Sequence, residues 1–154
     1  MTLVAYLVSG TGLDVDVEAA LVAVYKADLS ASFPGLVVAA SVPKGGHGGD
    51  SFPDLLVVPT RVGGSGVSPR HDRPMVSTQC WASDTTAAWE LTGAARVVAR
   101  GLADRRVVLP GLGGGPSEPV WVSWYRQTGG PAAFPDPRTT HVRYQFTDMF
   151  TVIR

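Results

Sequence analysis

The stretch DRPMVSTQCWASDTTAAWELTGAARVV, residues 72–98, changes its period in the middle. From Arg73 to Ala82 successive side chains alternate, with Met75, Ser77, Gln79 and Trp81 on one side and Val76, Thr78, Cys80 and Ala82 on the other. A few residues later Ala87, Ala88, Leu91, Ala94, Ala95, Val98 and Leu102 recur at helical spacing. Ser83 or Asp84, between the two patterns, is placed to cap a helix running to about Ala103. The small apolar side of the strand suits the stripe of a helix. A strand feeding directly into such a helix points to a domain of sheet and helix layers.

The remaining segments extend this reading. VDVEAALVAVYKADL carries Val17, Ala20, Leu21, Val24 and Tyr25 on one helical stripe, with Asp14 or Asp16 as cap and Pro34 beyond its end. Strands are expected at Leu36–Lys44, Asp54–Gly64, Val120–Gln127 and Val142–Arg154. The last of these alternates, with Tyr144, Phe146, Asp148, Phe150 and Val152 on one face. GGHGGDSFP, GSGVSPRHD, LPGLGGGPSEP and TGGPAAFPDPRTTH read as loops, and Arg105 and Arg106 as cations near the C-terminal end of the second helix. The order is helix, three strands, helix, two strands. The expectation is an α+β fold: a single, mainly antiparallel or mixed sheet with two α-helices packed on one face, in one domain over residues 1–154. Residues 1–13 hold an apolar run, Leu3–Val8, too short to span a bilayer and read as an arm or short strand.

Charge narrows the function classes. The chain balances 13 basic against 13 acidic residues, and only 17% of it is charged. A free-standing nucleic-acid binder would show a basic field, whereas neutrality suits packing against copies of itself. One cysteine excludes an internal disulfide and the usual multi-cysteine zinc sites, and fits synthesis in a reducing cytoplasm.

No motif assembles an active site. Cys80 lies mid-strand on the small apolar side, without the cationic setting that activates a thiol, and reads as a buried structural cysteine. His47, His71 and His141 each stand alone in or beside loops; a metal site of His47, His71 and Asp72 is conceivable but nothing in the spacing asks for it. GGHGG and GLGGG lack the Gly-Lys-Ser/Thr of a phosphate loop, and GLGGG leads into a strand rather than a helix. Trp121 and Trp124 share one strand, and strict alternation would point them to opposite faces. They read equally as core packing or as the contact surface of an uncovered sheet face. No cofactor is expected.

Taken in order, DVEAALVAVYKADL, VVPTRVGGSG, DRPMVSTQCWASDTTAAWELTGAARVVARGL and GGPAAFPDPRTTHVRYQFTDMFTVIR resemble the tail terminator family of long-tailed bacteriophages, in the form common among phages of actinobacteria. The resemblance covers the chain from about Asp14 onward. It implies a non-enzymatic protein of the virion, assembled in the host cytoplasm and placed at the head-proximal end of the tail. Its implied partners are itself, as a homo-hexameric ring, the tail-tube protein, and the head connector or stopper protein, with DNA passing through the lumen and no sequence-specific nucleic-acid contact. A ring closed by rotation needs two different complementary patches on each subunit. From the matching loop segments, the residues expected at interfaces are Arg61, Gly63, Gly64, Arg70, His71, Asp72, Arg73, Phe134, Asp136 and Arg138. The alternatives are another head–tail connector or stopper protein, a tail-tube protein, and a small α+β enzyme using His71, Asp72 and Cys80.

Overall fold

The computed structural model describes residues 17–43, 52–68, 71–109, 118–137 and 139–153. The N-terminal arm, the caps Asp14 and Asp16, His47, Arg70, Arg138 and most of the loop LPGLGGGPSEP lie outside these residues. The fold is α+β, as expected. Helix α1 (Val17–Leu29) is followed by β1 (Val37–Val38), β2 (Leu55–Ser68) and β3 (His71–Ala82), then helix α2 (Thr85–Arg100), β4 (Arg105–Leu109), β5 (Glu118–Ala133) and β6 (Val142–Ile153). The strands form one mixed sheet in the order β1-β2-β3-β6-β5-β4. β1 runs parallel to β2, and all other neighbours are antiparallel.

Both helices cover one face. From α1 come Val17, Leu21, Val24 and Tyr25, and from α2 come Leu91, Ala95 and Ala99; they meet Val57, Val76, Cys80, Phe146, Phe150 and Val152 of the sheet. Tyr25 is fully buried and brings its hydroxyl 3.3 Å from Thr78 Oγ1, satisfying a polar tip inside an apolar layer. Asp84 is the α2 cap: its carboxylate accepts the Ala87 N–H at 2.9 Å. On the opposite face, Leu56, Val58 and Trp81 form a small second cluster with Ala39, Val42 and Phe52.

Four expectations need correction. Helix α2 ends at Arg100, and Arg105 and Arg106 lie on an additional edge strand, β4. Asp104 turns the chain there with φ 63°, and its N–H donates to Val122 O at 2.7 Å. The strand expected over Leu36–Lys44 shrinks to Val37–Val38. The glycine-rich run after Gly64 continues β2 to Ser68, because β3 supplies backbone partners along it. TGGPAA, expected as loop, is the end of β5, a strand held to β6 through three irregularities in register, two of them in this segment.

Candidate functional site

The helix-free side of the sheet is the surface with the most distinctive composition. One of the β5 irregularities creates it. Val122 pairs with Val152, but Trp124 pairs with Thr151, so Ser123 is the extra residue of a bulge. Trp121, paired with Ile153, and Trp124 therefore point the same way, not to opposite faces as strict alternation required. Both lie on the face away from the helices, 41% and 43% exposed. The bulge also sends Tyr125 inward, where its ring meets Phe150 with centroids 5.7 Å apart.

The open face builds up in cross-strand rows. Arg106 pairs with Trp121 and places its guanidinium 5.5 Å from the indole centroid, and the row continues through Ile153 to His71. Trp124 and Thr151 form the next row, with Arg73 on the same side of β3. Then come Arg126, Met149 and Met75, followed by the polar residues Thr147, Ser77 and Thr60. Among the described residues the strand positions of this face carry arginines and no Asp or Glu. Arg73, Arg106 and Arg126 are exposed and make no ion pair among the described residues; Arg143, at the far end, lies 3.7 Å from Asp136. Trp, Met and Arg without Lys, Glu or Asp is the composition of protein-interface cores.

The residues expected at interfaces divide in two. Arg61 and Asp72 hold each other in a two-pronged pair of 2.7 and 3.0 Å, and Asp72 is 1% exposed. The Arg61 N–H donates to Glu18 Oε1 at 2.6 Å, tying β2 to the start of α1. Asp136 is also buried beside Arg143. Arg143 in turn places its guanidinium 5.0 Å from the Trp81 ring centroid and 5.9 Å from that of Phe134. His71, Arg73, Gly63 and Gly64 are exposed near the β2–β3 turn, where Ser68 Oγ lies 2.9 Å from His71 Nδ1, and Phe134 is exposed in the loop after β5. Gly64 has φ 108°, and an added Cβ would collide with the Arg73 carbonyl oxygen. Arg106 and Arg126 were not among the expected residues, and Trp121 and Trp124 were left open between core packing and a contact surface; the shared facing of the two tryptophans depends on the bulge.

The residues of the enzyme reading stay apart. His71 and Cys80 are nine positions apart on one extended strand, roughly 30 Å, and on opposite faces. Cys80 is fully buried, and burial pushes its thiol up to about 12, although a hydrogen bond with Thr92 acts the other way. Among the described residues no group of three or more His, Cys, Asp and Glu is placed to hold a metal ion. A void of about 10 Å³ beneath α1 is lined by apolar side chains including Leu21, Val24, Leu102 and Phe150, about the space of one water. No protein-family model matches the chain, and no curated protein matches it.

The most perturbed carboxylate is Asp148, 1% exposed on β6 beneath α2. Burial raises it to about 6, against the lowering effects of the Tyr125 hydrogen bond and of Arg96 and Arg100. Its Oδ2 has no hydrogen-bond partner, and neither has Arg96 Nε, while Arg96 Nη2 donates to Gln127 Oε1 at 2.9 Å. This cluster belongs to the helix–sheet layer and opens into no cleft among the described residues.

Proposed function

We propose that the chain is a structural assembly protein of a phage virion, one that caps the tail tube as a hexameric ring, stops its polymerisation and forms the head–tail joining surface. The observation that carries this reading is the open sheet face, where Trp121, Trp124, Met75 and Met149 lie among arginines without a carboxylate on the same strand positions. Such a face suits burial against protein. The motif resemblance from Asp14 onward supplies the tail terminator role and the partners: other copies of the chain, the tail-tube protein and the head connector or stopper protein. No catalytic residue is assigned.

The test is deletion of the gene from the phage that carries it, with electron microscopy of the lysate. Tails of uncontrolled length beside unjoined, filled heads are the expected result. Normal-length tails left unattached to heads would move the protein to a stopper or joining role. Ordinary infectious particles would discard the assembly reading.

A further inference from the structure

Two unpartnered surfaces lie on opposite sides of the fold. One is the open sheet face. The other is the solvent side of α2, which turns Leu91, Ala95 and Ala99 to the sheet and so presents Trp89, Glu90, Gly93 and Val97 outward. Trp89 is 52% exposed and Val97 71%. Trp89 is braced from below by Tyr144, with ring centroids 5.3 Å apart.

Gly93 sits in the middle of this helix, where glycine is the poorest helix former after proline. A Cβ added there would meet nothing within 4 Å, so no contact within the described chain asks for glycine. A flat spot between Trp89 and Val97 lets another surface approach the helix closely. The first half of α2 also complements the sheet in charge. Arg73, Arg106 and Arg126 stand on the sheet face, whereas Asp84, at the cap, and Glu90, beside Trp89, are acidic; the cations of α2 lie in its second half, Arg96 turned to Gln127 at 2.9 Å and Arg100 one turn beyond Val97.

We propose that the solvent side of α2 docks on the open sheet face of a second copy of this chain, Trp89 and Val97 against Trp121 and Trp124, with Glu90 among the arginines. Each copy then has its sheet covered by its own helix on one face and by its neighbour's on the other. The two patches differ, so the contact is head-to-tail and leaves a free patch at each end; successive copies close into a ring when each step rotates. This rests on the ring reading above only for closure.

The experiment is sedimentation velocity on the purified full chain over a range of concentrations, with far-UV circular dichroism to verify folding. Wild type associates as concentration rises. Gly93→Arg, which blocks the helix patch, and Trp124→Glu, which blocks the sheet patch, each remain monomeric and folded. Mixed, they form a one-to-one dimer that grows no further, because each variant retains one intact half. Gly93→Ala raises the melting temperature and weakens association several-fold. A wild type monomeric at its highest soluble concentration, either variant associating like wild type, or a mixture that stays monomeric overturns the proposal. The mixing result standing beside normal tails after gene deletion would keep this interface and discard the tail role. Long tails with no such association would do the reverse.

Discussion

The hydroxyl of Tyr125 donates to Asp148 Oδ1 at 2.9 Å across two neighbouring strands, while Asp148 Oδ2 is buried without a partner. A carboxylate so placed is easier to protonate in the folded chain than in the unfolded one, and burial accordingly raises Asp148 from 3.8 to about 6. The folded state then holds the extra proton between those values. The stabilisation is complete below the unfolded value and is lost as pH rises through the folded one. Asp148→Asn is therefore expected to gain stability over wild type at pH 8, by up to about 3 kcal/mol, and to lose that advantage near pH 4. Urea melts of both proteins at the two pH values check it; an equal difference at both would mean the carboxylate does not titrate in this way.

The Arg61 and Asp72 side chains tie β2 to β3, so their removal acts on the fold first. Asp72→Ala leaves a part-buried guanidinium without its carboxylate and is expected to cost about 3–5 kcal/mol. Arg73→Glu, one residue along and exposed, is expected to stay within about 0.5 kcal/mol of wild type. Chemical denaturation of the pair separates a structural brace from a contact residue, and any assembly defect of an Arg61 variant is to be read only beside its melting curve.

Cys80 is enclosed by the helix–sheet layer, and its thiol is pushed up to about 12. It is expected to resist a thiol reagent in the folded protein and to react once denaturant opens the layer. Rapid labelling under native conditions would restore it as a candidate nucleophile.

Gly64 combines a backbone angle that other residues rarely adopt with a contact against the Arg73 carbonyl. Gly64→Ala is expected to destabilise by about 1–3 kcal/mol from backbone strain alone, and by more once the contact is counted. Gly63→Ala, with nothing within 4 Å of an added Cβ, is expected to be much milder. Thermal melts of the two neighbours make the comparison internal.

Alternation along β3 and β6 and the stripes of α1 and α2 made those elements and the fold class legible, because each depends on residues a few positions apart. β4 was hidden because RRVVL follows a helix whose end favours arginines, and, although Gly101 caps that helix, the positive-φ position of the turn is held by Asp104 and not by a glycine. The extension of β2 through Gly66 was hidden because glycine is a poor strand former alone; pairing with Asp72 of β3 makes it a strand. For the site, Arg61 and Asp72 were read as separate surface charges from neighbouring segments, and only the sheet shows that they face each other. The open face was half legible. The aromatics of β5 stood out, but the direction of each depends on which residue of β6 it meets.

That dependence has a genetic reading. The bulge at Ser123 works like a frame marker in β5: upstream of it odd-numbered residues face outward, and downstream the even-numbered Trp124 and Arg126 do. Deleting that one serine would join Val122 to Trp124 with Val152 and Thr151 still opposite them, restoring strict alternation while every side chain keeps its face. A codon lost at Ser123 thus spares both surfaces, whereas one lost at Val122 or Trp124 takes a side chain from the helix layer or from the open face.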